Sequence, residues 1–184
     1  MKIVITIALL MLAGGLFADT LTPQKCADLN LIPVPKKVIT DGLIRLANRF
    51  TVEGGFPAVR RLLNEELTTK YSWVEAKDGE LTRIVLTLDP ALKCNEEYQL
   101  DFAANLITVK AAGLPGFFAA AGRLFSLLES GDVVHRKAAV ELTVRQISDW
   151  PDMPKRGMFL QMAFVANQAQ FDSLRRSIDL MRRL

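Results

Sequence analysis

Few side chains in this sequence could do covalent or acid–base chemistry, and their spacing suits it poorly. His135 is the single histidine. It stands in the polar stretch Val134-His-Arg-Lys137, which reads as a solvent-facing loop rather than a general-base site. Cys26 and Cys94 are the two cysteines, and no Cys-x-x-Cys occurs. The ligands of a zinc site are therefore missing. Glu65–Glu66 and Glu96–Glu97 are adjacent carboxylates, read as solvated faces before acid/base pairs. Gly113-x-x-Gly116 lacks the lysine and the spacing of a phosphate loop, and reads as a turn before a helix. Trp73 and Trp150 could stack on sugars, but core or inter-domain packing is the stronger reading of each. No metal and no organic cofactor is implied.

The elements that would position these residues follow from periodicity. Leu31 to Val38 holds two prolines at alternate positions, which enforce an extended chain. Gly42 marks a turn, and Phe50 to Val52 is a short strand ending at Gly54–Gly55. Phe56 to Tyr71 is an amphipathic helix with Val59, Leu62, Leu63 and Leu67 on one face. Pro57 suits its first turn. Arg83 to Asp89 alternates as a strand, with Ile84, Leu86 and Leu88 on one side. Tyr98–Phe102 and Leu106–Ala111 form a hairpin about Ala104–Asn105, since asparagine tolerates the left-handed backbone of a tight turn. Phe117 to Glu129 is a second helix, with Leu124, Leu127 and Leu128 as its core face. Val140 to Ile147 is a further strand. This order predicts an α+β domain with two helices on one face of a mainly antiparallel sheet.

The end of the chain has another character. After the linker Pro151-Asp-Met-Pro154, residues Arg156 to Val165 are apolar on both faces, as in a parallel strand buried on both sides. Phe171 to Leu184 is an amphipathic helix, with Phe171, Leu174, Ile178 and Met181 on one face. A buried strand followed by a helix is half of a βαβ unit. Either the pair packs onto the first domain, or it begins a second one.

The 184 residues admit one domain, or one domain plus a fragment. A complete (β/α)₈ barrel needs roughly 250. Eleven Asp and nine Glu nearly balance 23 Lys and Arg, so charge gives no reason to expect a nucleic-acid partner. Met1 to Ala18 reads as a secretory signal: Lys2, then the apolar run Ile3–Ala13, then Gly14–Gly15 and a small Ala18. An uncleaved anchor would need about 20 apolar residues. The expected location is secreted or periplasmic, with no membrane contact after cleavage. In such a compartment Cys26 and Cys94 could pair, or stand as two separate thiols.

Several motifs together carry a family likeness. Ile32-Pro-Val-Pro35 resembles the opening of the family 20 glycoside hydrolases, the β-N-acetylhexosaminidases. Tyr98-x-Leu100, Ile107-x-Val109-x-Ala111, the helix entry Gly116-Phe-Phe118 and Leu124-Phe-Ser-Leu-Leu128 are similar to the later half of that family's small α+β domain. Ile147-x-Asp149-x-Pro151 followed by Pro154-x-Arg156-Gly157 resembles its entry into the catalytic barrel. The likeness spans Leu31 to Leu184.

The resemblance implies three segments: a signal over 1–18, a small α+β domain over 19–150, and the first strand and helix of an incomplete TIM barrel over 151–184. It implies removal of terminal N-acetylhexosamine from glycans, the substrate's own acetamido oxygen acting as nucleophile beside an Asp-Glu pair. No Asp-Glu dipeptide occurs in these residues. No catalytic residue is therefore expected within the chain, and glycan would be met only through the rest of a barrel. The family's Leu-Asp-x-x-Arg, whose arginine grips sugar hydroxyls, is matched here by Leu160-Gln-Met-Ala-Phe164. Gln161 replaces the acid. Phe164 replaces the arginine and cannot give its forked hydrogen bonds. Arg156 reads as the partner of a structural carboxylate, and Gly157 as a close-packing position. A non-enzymatic exported module that binds glycan or protein is the other expectation.

Overall fold

Alternating apolar and polar side chains build the sheet that carries this domain. The computed structural model describes residues 19–20, 34–131 and 133–151. Among these the strands are β1 (Asp19–Thr20), β2 (Lys37–Ala47), β3 (Arg49–Gly54), β4 (Val74–Glu75), β5 (Thr82–Leu88), β6 (Tyr98–Ala103), β7 (Leu106–Ala111), β8 (Val134–His135) and β9 (Ala139–Asp149). The helices are α1 (Pro57–Thr69) and α2 (Leu114–Glu129). The strand order is β1-β2-β9-β6-β7-β5-β3-β4, with β8 on the edge of β9. The expected β–α unit beyond Pro151 lies outside the described residues.

The fold is α+β as expected, and among the described strands five of the eight pairings are antiparallel, but three are parallel, so the sheet is mixed. Strands β3, β5 and β7 run parallel, as do β3 and β4. The reason is connectivity. Helix α1 carries the chain from β3 back to the start of β5, and such a crossover yields parallel neighbours. The β6–β7 hairpin is antiparallel, and its turn residue Asn105 has φ +54°, as its type predicts. Gly42 does not turn the chain. It sits inside β2 at φ +56°, where three residues bulge out between Thr40 and Ile44 against β9. A second irregularity, at Arg145 of β9, restores the inward phase, so that Leu142, Val144 and Ile147 are all buried.

One face of the sheet is core. Phe50, Ile84, Leu86, Leu100, Phe102, Ile107, Val109, Leu142 and Val144 meet the two helices there. Val59, Leu63 and Leu67 of α1 are buried, with Leu62 at the margin, while Leu88 at the end of β5 is exposed. The helices join through ring contacts, Phe56 with Phe117 and Tyr71 with Phe125. Helix α2 starts earlier than its apolar pattern suggested, at Leu114, because Pro115 fits a first turn. Six consecutive residues, Ala120 to Phe125, are buried, so α2 is covered around its circumference there.

Gly116 explains how α2 comes so close to the loop before β6. A Cβ there would lie 2.7 Å from the Glu97 carbonyl oxygen and 3.1 Å from Ala111 Cβ. Gly116→Ala should therefore destabilise the domain by about 1–3 kcal/mol, measured as a lower urea midpoint with unchanged slope.

Candidate functional site

The residues with chemical potential are dispersed. His135 is exposed on β8, and its Nε2 lies 2.8 Å from the Leu128 carbonyl oxygen. That contact ties a short edge strand to α2. Glu65 is exposed on α1 beside Arg61. Glu97 is not a solvated residue as expected. It is buried, and its carboxylate accepts the Lys93 main-chain N–H at 2.5 Å, closing the loop before β6. Gly113 and Gly116 form the entry of α2, not a phosphate loop. Trp73 is core, packed edge-on to Phe50. Trp150 is half-buried, with the Lys93 ammonium 5.3 Å from its ring centroid. Among the described residues no group of His, Cys, Asp and Glu could hold a metal ion. Cys94 is a free thiol there, and Cys26 lies outside the described residues. So do Arg156, Gly157, Gln161 and Phe164.

The densest polar arrangement was not legible in the sequence. It gathers at one end of the sheet, where β6 begins, β9 ends and α2 passes over both. Arg123 of α2 is only 4% exposed. Its Nε donates to the Tyr98 hydroxyl at 3.1 Å, and its Nη2 donates to Asp149 Oδ2 at 3.4 Å. The Tyr98 hydroxyl donates to the same Oδ2 at 3.5 Å. Asp149 Oδ1 faces the other way and accepts the main-chain N–H of Lys36 at 3.3 Å and of Trp150 at 3.0 Å. One carboxylate thus joins the chain entering β2, the end of β9, and the helix above. Burial pushes the Tyr98 hydroxyl up to about 12, against the pull of the Arg123 charge.

The open face of the sheet holds a second feature. A groove of about 490 Å³ lies over β6, β7 and β9, lined by Ile39, Asp101, Ala103, Leu106, Thr108, Arg145 and Gln146 among others. Its one carboxylate is already engaged: Asp101 accepts from the side-chain amides of Gln99 and Gln146 and lies 3.6 Å from Lys110. Arg145 is held by Asp41. Further along the same face, Arg83 forks onto Glu53 and holds that carboxyl below its ordinary range. These groups are arranged for one another. No nucleophile, base and acceptor converge in the groove.

The architecture has counterparts among solved structures. A family 20 exo-β-N-acetylglucosaminidase from Vibrio harveyi matches over 84% of this chain with a TM-score of 0.66 and 20% identity. Flavobacterium johnsoniae chitobiase, also of family 20, matches over 72% with a TM-score of 0.53 and 25% identity. The chain resembles the family 20 glycoside hydrolases. It spans about a quarter of the length of these relatives, 24% and 22%. The protein CpGH84D shares the fold as well, with a TM-score of 0.54 at 16% identity. No protein-family model and no curated protein matches the sequence. The expectation drawn from Pro-x-Pro, Asp-x-Pro and the leucine-rich helix is thereby met at the level of family resemblance and fold. Two of those motifs acquire a physical role: Lys36 just after Pro35 and Asp149 of Asp-x-Pro are hydrogen-bonded to each other.

The Tyr98 hydroxyl gives the site a pH signature. Its folded value lies above the unfolded value of about 10. The neutral hydroxyl therefore contributes stability in full below about pH 10, and the contribution is lost as pH rises toward 12. Guanidinium denaturation should show about 2–3 kcal/mol lost across that window, beyond the loss shown by Tyr98→Phe. Equal pH dependence of the two proteins would contradict the buried, protonated hydroxyl.

Proposed function

We propose that this chain is the N-terminal part of an exported family 20-like glycoside hydrolase. In this reading the parent removes terminal N-acetylhexosamine residues from glycans by substrate-assisted hydrolysis. The observation that carries the reading is the shared fold with the Flavobacterium johnsoniae chitobiase, at 25% identity over 72% of this chain. The order of the Pro-x-Pro, Asp-x-Pro and Arg-Gly motifs supports it.

The domain's own task is mechanical. Arg123, Asp149, Asp101 and Arg145 are engaged with partners within the domain, and the Asp-Glu pair that the chemistry requires is absent from the sequence. The small domain acts as a buttress, and residues 151–184 supply the first strand and helix of the barrel. Glycan would be bound by barrel elements, without metal or organic cofactor.

A second reading is a non-enzymatic exported module that binds glycan or protein. Gln161 and Phe164 favour it, because they stand where the family has an acid and a sugar-gripping arginine. The two readings part on the coding sequence downstream of Leu184. Continuation into further βα units with an Asp-Glu pair supports the enzyme, and a stop codon with a stable secreted product supports the module. Either way, this chain assayed with a chromogenic N-acetylglucosaminide should show no turnover above buffer. Measurable turnover would overturn the assignment of catalysis to residues outside it.

A further inference from the structure

The groove on the open face of the sheet has a regular layout. Strand register sets Ile39, Gln146, Asp101 and Thr108 in one line across β2, β9, β6 and β7. Ala103 and Leu106 face each other in the next line. All six line the same cavity of about 490 Å³. Its polar members are held in fixed orientations. Asp101 accepts the Gln146 amide at 2.6 Å and the Gln99 amide at 2.8 and 2.9 Å. Committing both amide nitrogens to the carboxylate decides which way each amide faces. The two amide oxygens, and the Thr108 hydroxyl, then have no hydrogen-bond partner among the described residues. Arg145 gives one nitrogen, Nη1, to Asp41 and keeps the other donors of its fork.

Charge says what kind of ligand suits these groups. Lys110 pairs with Asp101, and Arg145 pairs with Asp41, so the four charges at the groove cancel. An anion would meet Asp101, and a cation would meet Lys110 and Arg145, with no charge left over to neutralise either. A ligand hydroxyl is both donor and acceptor. It can donate to an amide oxygen and accept from Arg145 or Thr108. Ile39, Ala103 and Leu106 offer an apolar floor for the C–H face of a sugar ring. Neighbouring strands lie about 4.8 Å apart, close to the advance of one ring along an extended β-linked chain. Successive rings laid across the sheet therefore fall over successive strands. Amides already fixed by Asp101 lose little freedom on binding.

We propose that this groove binds a neutral, β-linked pyranose oligosaccharide lying across β9, β6 and β7, with Gln146 and Thr108 hydrogen-bonding its hydroxyls. The contact is non-catalytic and separate from any glycan bound by barrel elements. It rests on neither reading of the parent given above, because the whole site belongs to the sheet of the small domain.

The test titrates the ¹⁵N-labelled 184-residue chain with chitohexaose and follows the amide resonances by NMR. Saturable shifts centred on β6, β7 and β9 are expected. Gln146→Ala should weaken binding roughly tenfold, the loss of one or two hydrogen bonds, with the urea midpoint retained. Thr108→Val, close in shape, gives an independent reading should Gln146→Ala fail to fold, and should weaken binding in the same direction. A sulfated chondroitin hexasaccharide should bind more weakly than chitohexaose. No saturable shift, shifts centred elsewhere, wild-type affinity in a folded variant, or preference for the sulfated chain overturns the proposal. Binding is read here without turnover, so its failure leaves the glycosidase reading to the coding sequence downstream of Leu184.

Discussion

The carboxylate of Asp149 is the interaction on which the rest of this domain depends. It sits at the end of β9, and it grips three things at once: the N–H of Lys36 just before β2, the buried Arg123 of α2, and the hydroxyl of Tyr98 at the start of β6. A guanidinium only 4% exposed is tolerable in an apolar interior only if it is paired. Removing either partner of such a pair costs about 3–5 kcal/mol, because the other charge is left buried alone. The same bonds therefore hold the helical layer onto the sheet and hold the start of β2 beside the end of β9.

The rest of the domain's polar chemistry is arranged around that carboxylate. The inner face of the sheet is spent on the core, and the outer face on ion pairs that satisfy one another, each worth little by itself. What remains is the end of β9. Lys93 lies over the ring of Trp150, Asp149 caps the Trp150 N–H, and Arg123 keeps one donor unspent. The buried polar chemistry of the described residues is thus gathered at the end of β9.

Much of this was legible from residue order. The hairpin at Asn105, the two helices and the inward alternation of β5 to β7 follow from local rules, because each is decided by neighbours close in sequence. The bulge at Gly42 was not legible. Asp41-Gly42 has the composition of a tight turn, and only pairing with a strand about a hundred residues later makes it a bulge. The parallel strands were hidden for the same reason, since an amphipathic helix between two strands does not announce which edge receives the second. Arg123 gave no signal at all. It looks like one polar residue in a leucine-rich helix, and its partners lie 25 and 26 residues away, on different strands. The motif containing Asp149 was visible as a likeness, but its physical role required the fold.

The most direct measurement of this account is site-resolved amide hydrogen exchange in Asp149→Ala. The two main-chain N–H groups that the carboxylate accepts, at Lys36 and Trp150, should lose protection together, while the centre of the sheet in β5 and β7 keeps its own. Loss at only one of the two, or at neither, would contradict the claim that a single carboxylate joins the start of β2 to the end of β9.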